Sequence, residues 1–184
     1  MKSLLIHRAH CIATQNDART ELYGASILIR DGRIASILAA DEVTAELIAS
    51  VDEVIDARHH VVIPGMVNTH HHMVQSLTRA VASVQNAELF SWLRGLYPMW
   101  AGLTPEMVLV STQIAMAELL LSGCTTSSDH LYIYPNGVRL EDSIEAAHRI
   151  GMRFTATRGS MSVGESQGGL PPDRVVERED FILE

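Results

Sequence analysis

The sequence predicts an α/β fold in which short strands precede an incomplete (β/α)8 barrel of the TIM type. Residues 1–60 have the pattern of short strands joined by turns, and from Val61 onward strands alternate with helices. This alternation favours a parallel sheet. Several residues suited to chemistry fall where these strands end, and in a (β/α)8 barrel the active site lies at the carboxyl ends of the strands.

Composition and charge narrow the class of protein. Of the 184 residues 47% are hydrophobic and 20% charged, as in soluble globular proteins. The net charge of −8 and the lack of a basic stripe argue against a nucleic-acid partner. Apolar runs are too short for a signal peptide or a membrane span. Because Cys11 and Cys124 are lone cysteines, we expect reduced thiols and a cytoplasmic protein.

Residues 1–60 are predicted to form the first of two domains, an all-β module. Asp31-Gly32 between two apolar runs predicts a hairpin. A short helical turn is expected at 44–50. The predicted strands are Leu4–Ile6, Ala25–Arg30, Arg33–Leu38 and Val51–Asp56. The histidines expected at the surface or edges of this module, without a ligand role, are His7, His10, His59 and His60.

Residues 61–184 are predicted to form the second domain, with alternating strands and helices. One helix is expected from a cap at Ser83 or Asn86 to an end or bend at Pro98. Thr104-Pro105-Glu106 marks the start of another, which ends near Gly123. Its predicted buried stripe is Met107, Val110, Ile114, Ala117 and Leu121.

Further elements are predicted toward the end of the sequence. They are a strand at 124–128, a helix at 140–150 that stops at Gly151, a strand at 152–157 and a loop at 162–173. Residues 178–184 have the pattern of an amphipathic helix without a stop signal. We therefore expect the chain to be the N-terminal piece of a longer protein.

A histidine run follows the apolar residues after Val61. On an extended strand His70 and His72 would point to one face and His71 to the other. Two imidazoles on one side suit a single zinc-like ion. The alternatives are a solvated histidine run or an expression tag, and the internal position disfavours the tag.

The motif Pro64-Gly65-Met66-Val67-Asn68-Thr69-His70-His71-His72 resembles the first-strand signature of the amidohydrolase superfamily. The continuation with Gln75, Trp92-Leu93, 97–100 and Thr125–His130 resembles its deaminase branch, most nearly the 8-oxoguanine deaminases and triazine hydrolases. The likeness extends over nearly the whole chain.

The resemblance implies a metal-dependent hydrolytic deaminase of an amino-purine-like heterocycle, with 8-oxoguanine favoured. It implies that residues 1–60 belong to a small β-sandwich, and that His70 and His72 bind Zn2+, with Fe2+ or Mn2+ as alternatives. Metal-activated hydroxide would attack the ring and release ammonia. The remaining ligands and the acid/base would come after residue 184, so we expect the 184 residues alone to be inactive, and the full-length protein to be a homo-oligomer without nucleic-acid or membrane partners.

The resemblance and local chemistry suggest further site residues. Gln75, Trp92 and Tyr132 are candidates for substrate binding, although Gln75 also fits a helix surface and Trp92, like Trp100, fits a core. The candidates for orienting a metal ligand or shaping the pocket are Asp129, His130 and Arg158. Two structural roles also remain open: Asp129 could cap a loop, and Arg158 could form an ion pair.

Two other functions remain open from the sequence. One is a triazine aminohydrolase or chlorohydrolase, which uses the same metal-activated attack with another leaving group. The other is a catalytically incomplete fragment or a metal-binding paralogue without activity.

Overall fold

The chain folds into two compact units. A computed structural model describes residues 2–183, and the units are Met1–Pro64 and Gly65–Glu184. This division falls a few residues after the boundary at residue 60 that the sequence suggested.

The first unit consists of two small sheets, in the strand orders β5-β4-β1-β6 and β3-β2-β7. Side chains from both sheets, including Ile6, Ile27 and Ile12, meet in one apolar cluster, as in a β-sandwich. The strands are β1 (Ser3–His7), β2 (Cys11–Ala13), β3 (Glu21–Leu22), β4 (Ser26–Arg30), β5 (Arg33–Leu38), β6 (Glu53–Asp56) and β7 (Val61–Val62).

Two local features of the first unit, a hairpin and a short helix, form where the sequence predicted them. Asp31 and Gly32 both have positive φ, 52° and 74°, and join β4 to β5 as a tight hairpin. Thr44 caps helix α1 (Ala45–Ser50) by accepting a hydrogen bond from the N–H of Leu47 at 3.2 Å. The hairpin and the short helical turn are therefore confirmed.

The second unit contains a parallel sheet in the order β10-β9-β8, with helices between its strands. This confirms the predicted βα alternation, in a mixed α/β fold. The strands are β8 (Met66–Asn68), β9 (Cys124–Leu131) and β10 (Arg153–Arg158). The helices are α2 (Leu89–Trp100), α3 (Pro105–Leu121), α4 (Leu140–Ile150) and α5 (Glu179–Ile182).

Gly65 allows β8 to lie close against β9. A Cβ atom at Gly65 would lie 2.1 Å from Oγ1 of Thr125 and 2.5 Å from its Cγ2. The N–H of Met66 donates to the carbonyl of Gly123 at 2.9 Å, which starts the pairing of the two strands. The glycine of the Pro-Gly pair is therefore required by close packing.

Helix α3 begins as predicted but buries a different face. Thr104 accepts a hydrogen bond from the N–H of Met107 at 3.3 Å. The predicted stripe is wrong, because Met107, Ile114 and Leu121 are exposed. Apolar residues surround most of this helix, so their spacing does not select a side, and the small residues of the true face permit close packing against α4. The buried residues of α3 are Val108, Ser111, Thr112, Ala115 and Met116.

Helix α2 differs from its prediction at both ends. Its N-cap is Glu88 rather than Ser83 or Asn86, because turns through residues 81–87 precede it. The helix also continues past Pro98 to Trp100. Proline so close to a helix end removes only one intrahelical hydrogen bond, so the last turn still forms.

The C-terminal part follows its predicted pattern. Gly151, with φ of 78°, donates its N–H to the carbonyl of Ala147 and ends α4 as expected. The predicted terminal helix is short, Glu179–Ile182, and its predicted last residue, Glu184, lies outside the described residues. Among residues 2–183, no helix has the length and apolar character needed to span a membrane.

The burial of α3 can be tested with two methionines on the same helix. Met116 is 0% exposed in a cluster with Met73 and Ala147, whereas Met107 is 46% exposed. We expect Met116→Ala to lower the free energy of unfolding by about 2–5 kcal/mol, because it leaves a cavity. Met107→Ala should change it by less than about 1 kcal/mol. Urea denaturation measures both, and equal losses would contradict the assigned face.

Candidate metal and ring-binding site

The histidine run lies just beyond strand β8 rather than within it. The strand ends at Asn68, whose side-chain oxygen accepts the N–H of His70 at 3.0 Å and turns the chain. The expectation that a strand pleat places the two imidazoles on one side is therefore wrong. The turn nevertheless brings the rings of His70 and His72 together, with centroids 5.1 Å apart.

The separation of the two rings matches that of two imidazoles bound to one divalent cation. With metal–nitrogen bonds of about 2.0–2.1 Å, two imidazoles on one ion have centroids roughly 5 Å apart. Nδ1 of His72 lies 2.9 Å from the carbonyl oxygen of His130. A carbonyl only accepts, so Nδ1 carries the proton and Nε2 keeps a free lone pair. Ligating histidines are commonly held in this way.

Strand β9 holds the histidine turn through three hydrogen bonds. Besides the His72 contact, the N–H of His130 donates to the carbonyl of His71 at 3.0 Å. The N–H of Met73 donates to Oδ1 of Asp129 at 2.8 Å. Asp129 and His130 were expected after the strand but belong to it. Two consecutive strand residues therefore bind three consecutive residues of the turn.

The buried groups beside this turn have shifted pKa values. Asp129 is 3% exposed, and burial raises the pKa of its carboxyl group, although the N–H of Met73 works in the opposite direction. Burial lowers the pKa of His71, while nearby Asp129 raises it. Nδ1 of His71 is buried without a hydrogen-bond partner among the described residues. His71 is therefore neutral near pH 7, and its Nδ1 is enclosed by the protein.

Two clefts adjoin at this turn, and His72, Gln75 and Trp92 border both. The first has a volume of about 430 Å³ and a polar far wall, formed in part by the ion pair of Arg79 and Glu118. The second, of about 400 Å³, has a largely apolar lining. Its other lining residues are Leu89, Leu93, Tyr97, His130, Tyr132, Ser160 and Met161.

The candidate substrate residues meet at the second cleft. Nε2 of Gln75 donates to the hydroxyl of Tyr132 at 3.2 Å. The half-buried ring of Trp92 packs edge-on against Trp100, with centroids 5.5 Å apart. Trp100 is buried and donates from Nε1 to Thr78, so it belongs to the core. Gln75 therefore offers an amide to this cleft, Trp92 an aromatic surface and Tyr132 a hydroxyl.

Arg158 lies outside both clefts. Its guanidinium forms two hydrogen bonds with the carboxylate of Glu177, at 2.5 and 3.0 Å, and lies 4.7 Å from the centroid of the Tyr134 ring. The ion pair, one of the two alternatives from the sequence, is the arrangement observed. It anchors the loop after β10, whose Met161 reaches the second cleft.

Sequence reasoning missed Tyr97, Ser160 and Met161 as cleft residues. No local pattern connects Tyr97, which lies on helix α2, with Tyr132, which follows strand β9. Among residues 2–183 no cluster of three or more histidine, cysteine or acidic side chains could hold a metal ion. Within this part of the chain the candidate metal-binding group is therefore limited to the His70–His72 pair.

Comparisons with known proteins place this site in a family context. The chain is 50% identical over 159 residues to an 8-oxoguanine deaminase from Pseudomonas aeruginosa, covering 85% of the chain and 35% of that protein. It is 35% identical over 195 residues to hydroxydechloroatrazine ethylaminohydrolase from a Pseudomonas species, covering 100% of the chain and 40% of that protein.

A solved structure is similar as well. A mutant atrazine chlorohydrolase from Arthrobacter aurescens, complexed with zinc and atraton, superposes with a TM-score of 0.84 at 30% identity, over 98% of this chain and 41% of that one. The chain thus spans between 35% and 41% of the length of these relatives. Residues 61–183 match the model of the amidohydrolase family. This range contains the histidine turn and the parallel sheet. The chain belongs to the amidohydrolase family.

Proposed function

We propose that this chain carries part of the active site of a metal-dependent hydrolytic deaminase for an amino-purine-like heterocycle, with 8-oxoguanine as the favoured substrate. The observation that carries the proposal is the His70–His72 pair, with Nδ1 of His72 bonded to a backbone carbonyl. The 50% identity to an 8-oxoguanine deaminase supports the substrate class. In the complete protein we propose a (β/α)8 barrel preceded by a composite β-sandwich.

His70 and His72 would hold the metal through their free ring nitrogens. Zinc is the first choice, since a similar structure is complexed with zinc, and Fe2+ or Mn2+ are alternatives. When bound, such a cation lowers the pKa of water and supplies the nucleophile for hydrolysis. The His130 carbonyl fixes the His72 tautomer, and Asp129 holds the turn that positions the ring.

The second cleft would bind the planar ring beside the metal. Trp92 offers an aromatic face for stacking, and Gln75 and Tyr132 offer polar groups for the ring edge. A cleft of about 400 Å³ with mostly apolar walls and a few polar groups suits a small heterocycle. The proposed partner is therefore a small molecule, and we propose a homo-oligomer for the full-length protein.

Two alternatives have specific support. The structural similarity to an atrazine chlorohydrolase favours a triazine as substrate, with chloride or an amine as the leaving group. The incomplete ligand set within residues 2–183 favours a catalytically incomplete fragment or a metal-binding paralogue.

A turnover assay that measures released ammonia, alkylamine and chloride distinguishes these functions. The gene product that contains this chain, loaded with zinc, is expected to release ammonia from 8-oxoguanine faster than from guanine or amino-triazines. The 184-residue chain alone should release none, because a catalytic metal needs about three protein ligands. Preference for a triazine would favour the first alternative, and no turnover of any ring would contradict the proposal.

Removing one histidine of the pair tests the metal site. We expect His70→Ala or His72→Ala in the gene product to weaken zinc binding by at least about 100-fold, because a direct ligand matters at least as much as its supports. His59→Ala and His60→Ala are matched controls, since both histidines are exposed and lie in the other unit. Metal content and competition with a chelator measure the effect. Unchanged binding in the His72 variant would refute the assignment.

Asp129 can be tested as the residue that positions this turn. Asp129→Ala leaves the N–H of Met73 without an acceptor, so we expect a loss of about 1–3 kcal/mol in the free energy of unfolding. Zinc affinity should fall by about 10- to 100-fold. Asp129→Asn keeps an acceptor oxygen and should restore most of both.

The control is Asp52→Ala, which removes an exposed carboxylate that accepts the N–H of Ser3 at 2.7 Å in the other unit. It should leave zinc affinity unchanged. If Asp129→Asn bound zinc as weakly as Asp129→Ala, the hydrogen bond to Met73 would not be the role of this residue.

A further inference from the structure

The turn that follows strand β9 carries an asparagine directly before a glycine. Residues Pro135 to Val138 form a β-turn, closed by a hydrogen bond of 2.9 Å from the N–H of Val138 to the carbonyl of Pro135. Asn136 and Gly137 both have positive φ, 53° and 82°, which asparagine and glycine tolerate better than other residues. Both residues are exposed. The turn therefore presents the peptide bond between Asn136 and Gly137 to water.

The side chain of Asn136 ties this turn to the end of helix α2. Its Nδ2 donates to the carbonyl oxygens of Ala101 and Leu103, at 3.1 and 2.8 Å. Since both partners are acceptors, the amide nitrogen and not the amide oxygen must face them. Ala101 is the C-cap of α2, where carbonyls lack intrahelical donors. Among residues 2–183 no other group donates to either carbonyl, so Asn136 alone satisfies both.

An asparagine before a glycine can lose its side-chain amide without any enzyme. The backbone nitrogen of the glycine attacks Cγ of the asparagine, its proton passes to the departing nitrogen, and ammonia leaves. Water then cleaves one of the two C–N bonds of the cyclic imide and leaves aspartate or isoaspartate. Glycine favours the attack because it has no side chain to shield the nitrogen. Among residues 2–183 the N–H of Gly137 donates to no acceptor, so this nitrogen is unengaged.

We propose that Asn136 is a deamidation site which the fold keeps slow, and that loss of its amide releases the end of α2. Ring closure requires Cγ to approach the glycine nitrogen, whereas two hydrogen bonds hold the amide against Ala101 and Leu103. The reaction therefore needs a local opening of the turn. The old contact cannot re-form afterwards, because a carboxylate has no proton to donate and would face two carbonyl oxygens. The inference does not depend on the proposed function.

Release of this helix end would extend to the second cleft. Trp92 and Tyr97 lie on α2 and line that cleft. Tyr97 also belongs to the same apolar cluster as Ala101, Leu103 and Val138, which join the helix end to the turn. The aromatic wall of the cleft is therefore expected to loosen in deamidated protein.

Peptide mapping by mass spectrometry tests the site. The gene product that contains this chain is incubated at mildly alkaline pH, in buffer and in concentrated urea. We expect conversion at Asn136 in both samples, but about 10- to 100-fold more slowly in buffer, because two hydrogen bonds must open first. Asn16, Asn68 and Asn86 precede residues with side chains and should convert more slowly than Asn136 in urea.

Trypsin digestion measures the consequence for α2, because Arg94 is an exposed residue of this helix. In Asn136→Asp, which reproduces one product, cleavage after Arg94 should accelerate by about 10-fold as the open population of α2 rises. Asn136→Gly keeps the positive φ without a donor and should act alike. Cleavage after Arg149, exposed on α4, should not change. The matched control is Asn16→Asp, which removes a donor to Thr20 in the first unit and should leave α2 unaffected.

Equal rates of conversion at Asn136 in buffer and in urea would overturn the inference. So would the absence of conversion in buffer after about 100 times the half-time in urea, or faster conversion of another asparagine of this chain in urea. Unchanged cleavage after Arg94 in both Asn136 variants would refute the role of the amide in holding α2. If a variant does not fold, digestion of the wild-type protein before and after conversion in buffer supplies the same comparison.

Discussion

The candidate site depends on one hydrogen bond, from Nδ1 of His72 to the carbonyl oxygen of His130. It joins the turn after β8 to the neighbouring strand β9 and decides which ring nitrogen of His72 is free. Because the acceptor is a backbone atom of a paired strand, its position is set by the sheet and not by a mobile side chain. The bond from Met73 to Asp129 and the bond from His130 to His71 hold the same turn on either side. The site is thus an extension of the parallel sheet.

Close packing at the strand ends gives this arrangement little freedom. A Cβ atom at Gly159, just after β10, would lie 2.5 Å from Nε2 of His130 and 2.6 Å from Cβ of Tyr132. Any larger residue would push on the segment that holds His72 and lines the second cleft. The N–H of Gly159 also donates to the carbonyl of Leu131 at 2.7 Å. Strand β10 therefore supports β9 in the way that β9 supports the histidine turn.

Structural features that depend on a few neighbouring residues could be predicted from the sequence, whereas features that depend on packing could not. The hairpin at Asp31-Gly32 and the cap at Thr104 were predictable, because each depends on a few neighbouring residues. The face of α3 was not, because its apolar residues surround most of the helix and only its neighbours select the buried side. The rings of His70 and His72 do lie together, but not for the reason that the strand pattern gave. The N–H of His70 donates to the side-chain oxygen of Asn68, and this turn, which a strand pattern does not predict, brings their rings together.

The residues that line the clefts also differ in whether they could be predicted from the sequence. His72 comes after β8, Tyr132 directly after β9 and Met161 from the loop after β10, so each parallel strand contributes one wall at its carboxyl end. Trp92 and Tyr97 come from α2, which no strand pattern connects with the sheet. Residues on strand ends can be inferred from chain order, since parallel strands end at one edge. Those on α2 depend on how the helix packs, so the aromatic part of the site emerges only with the fold.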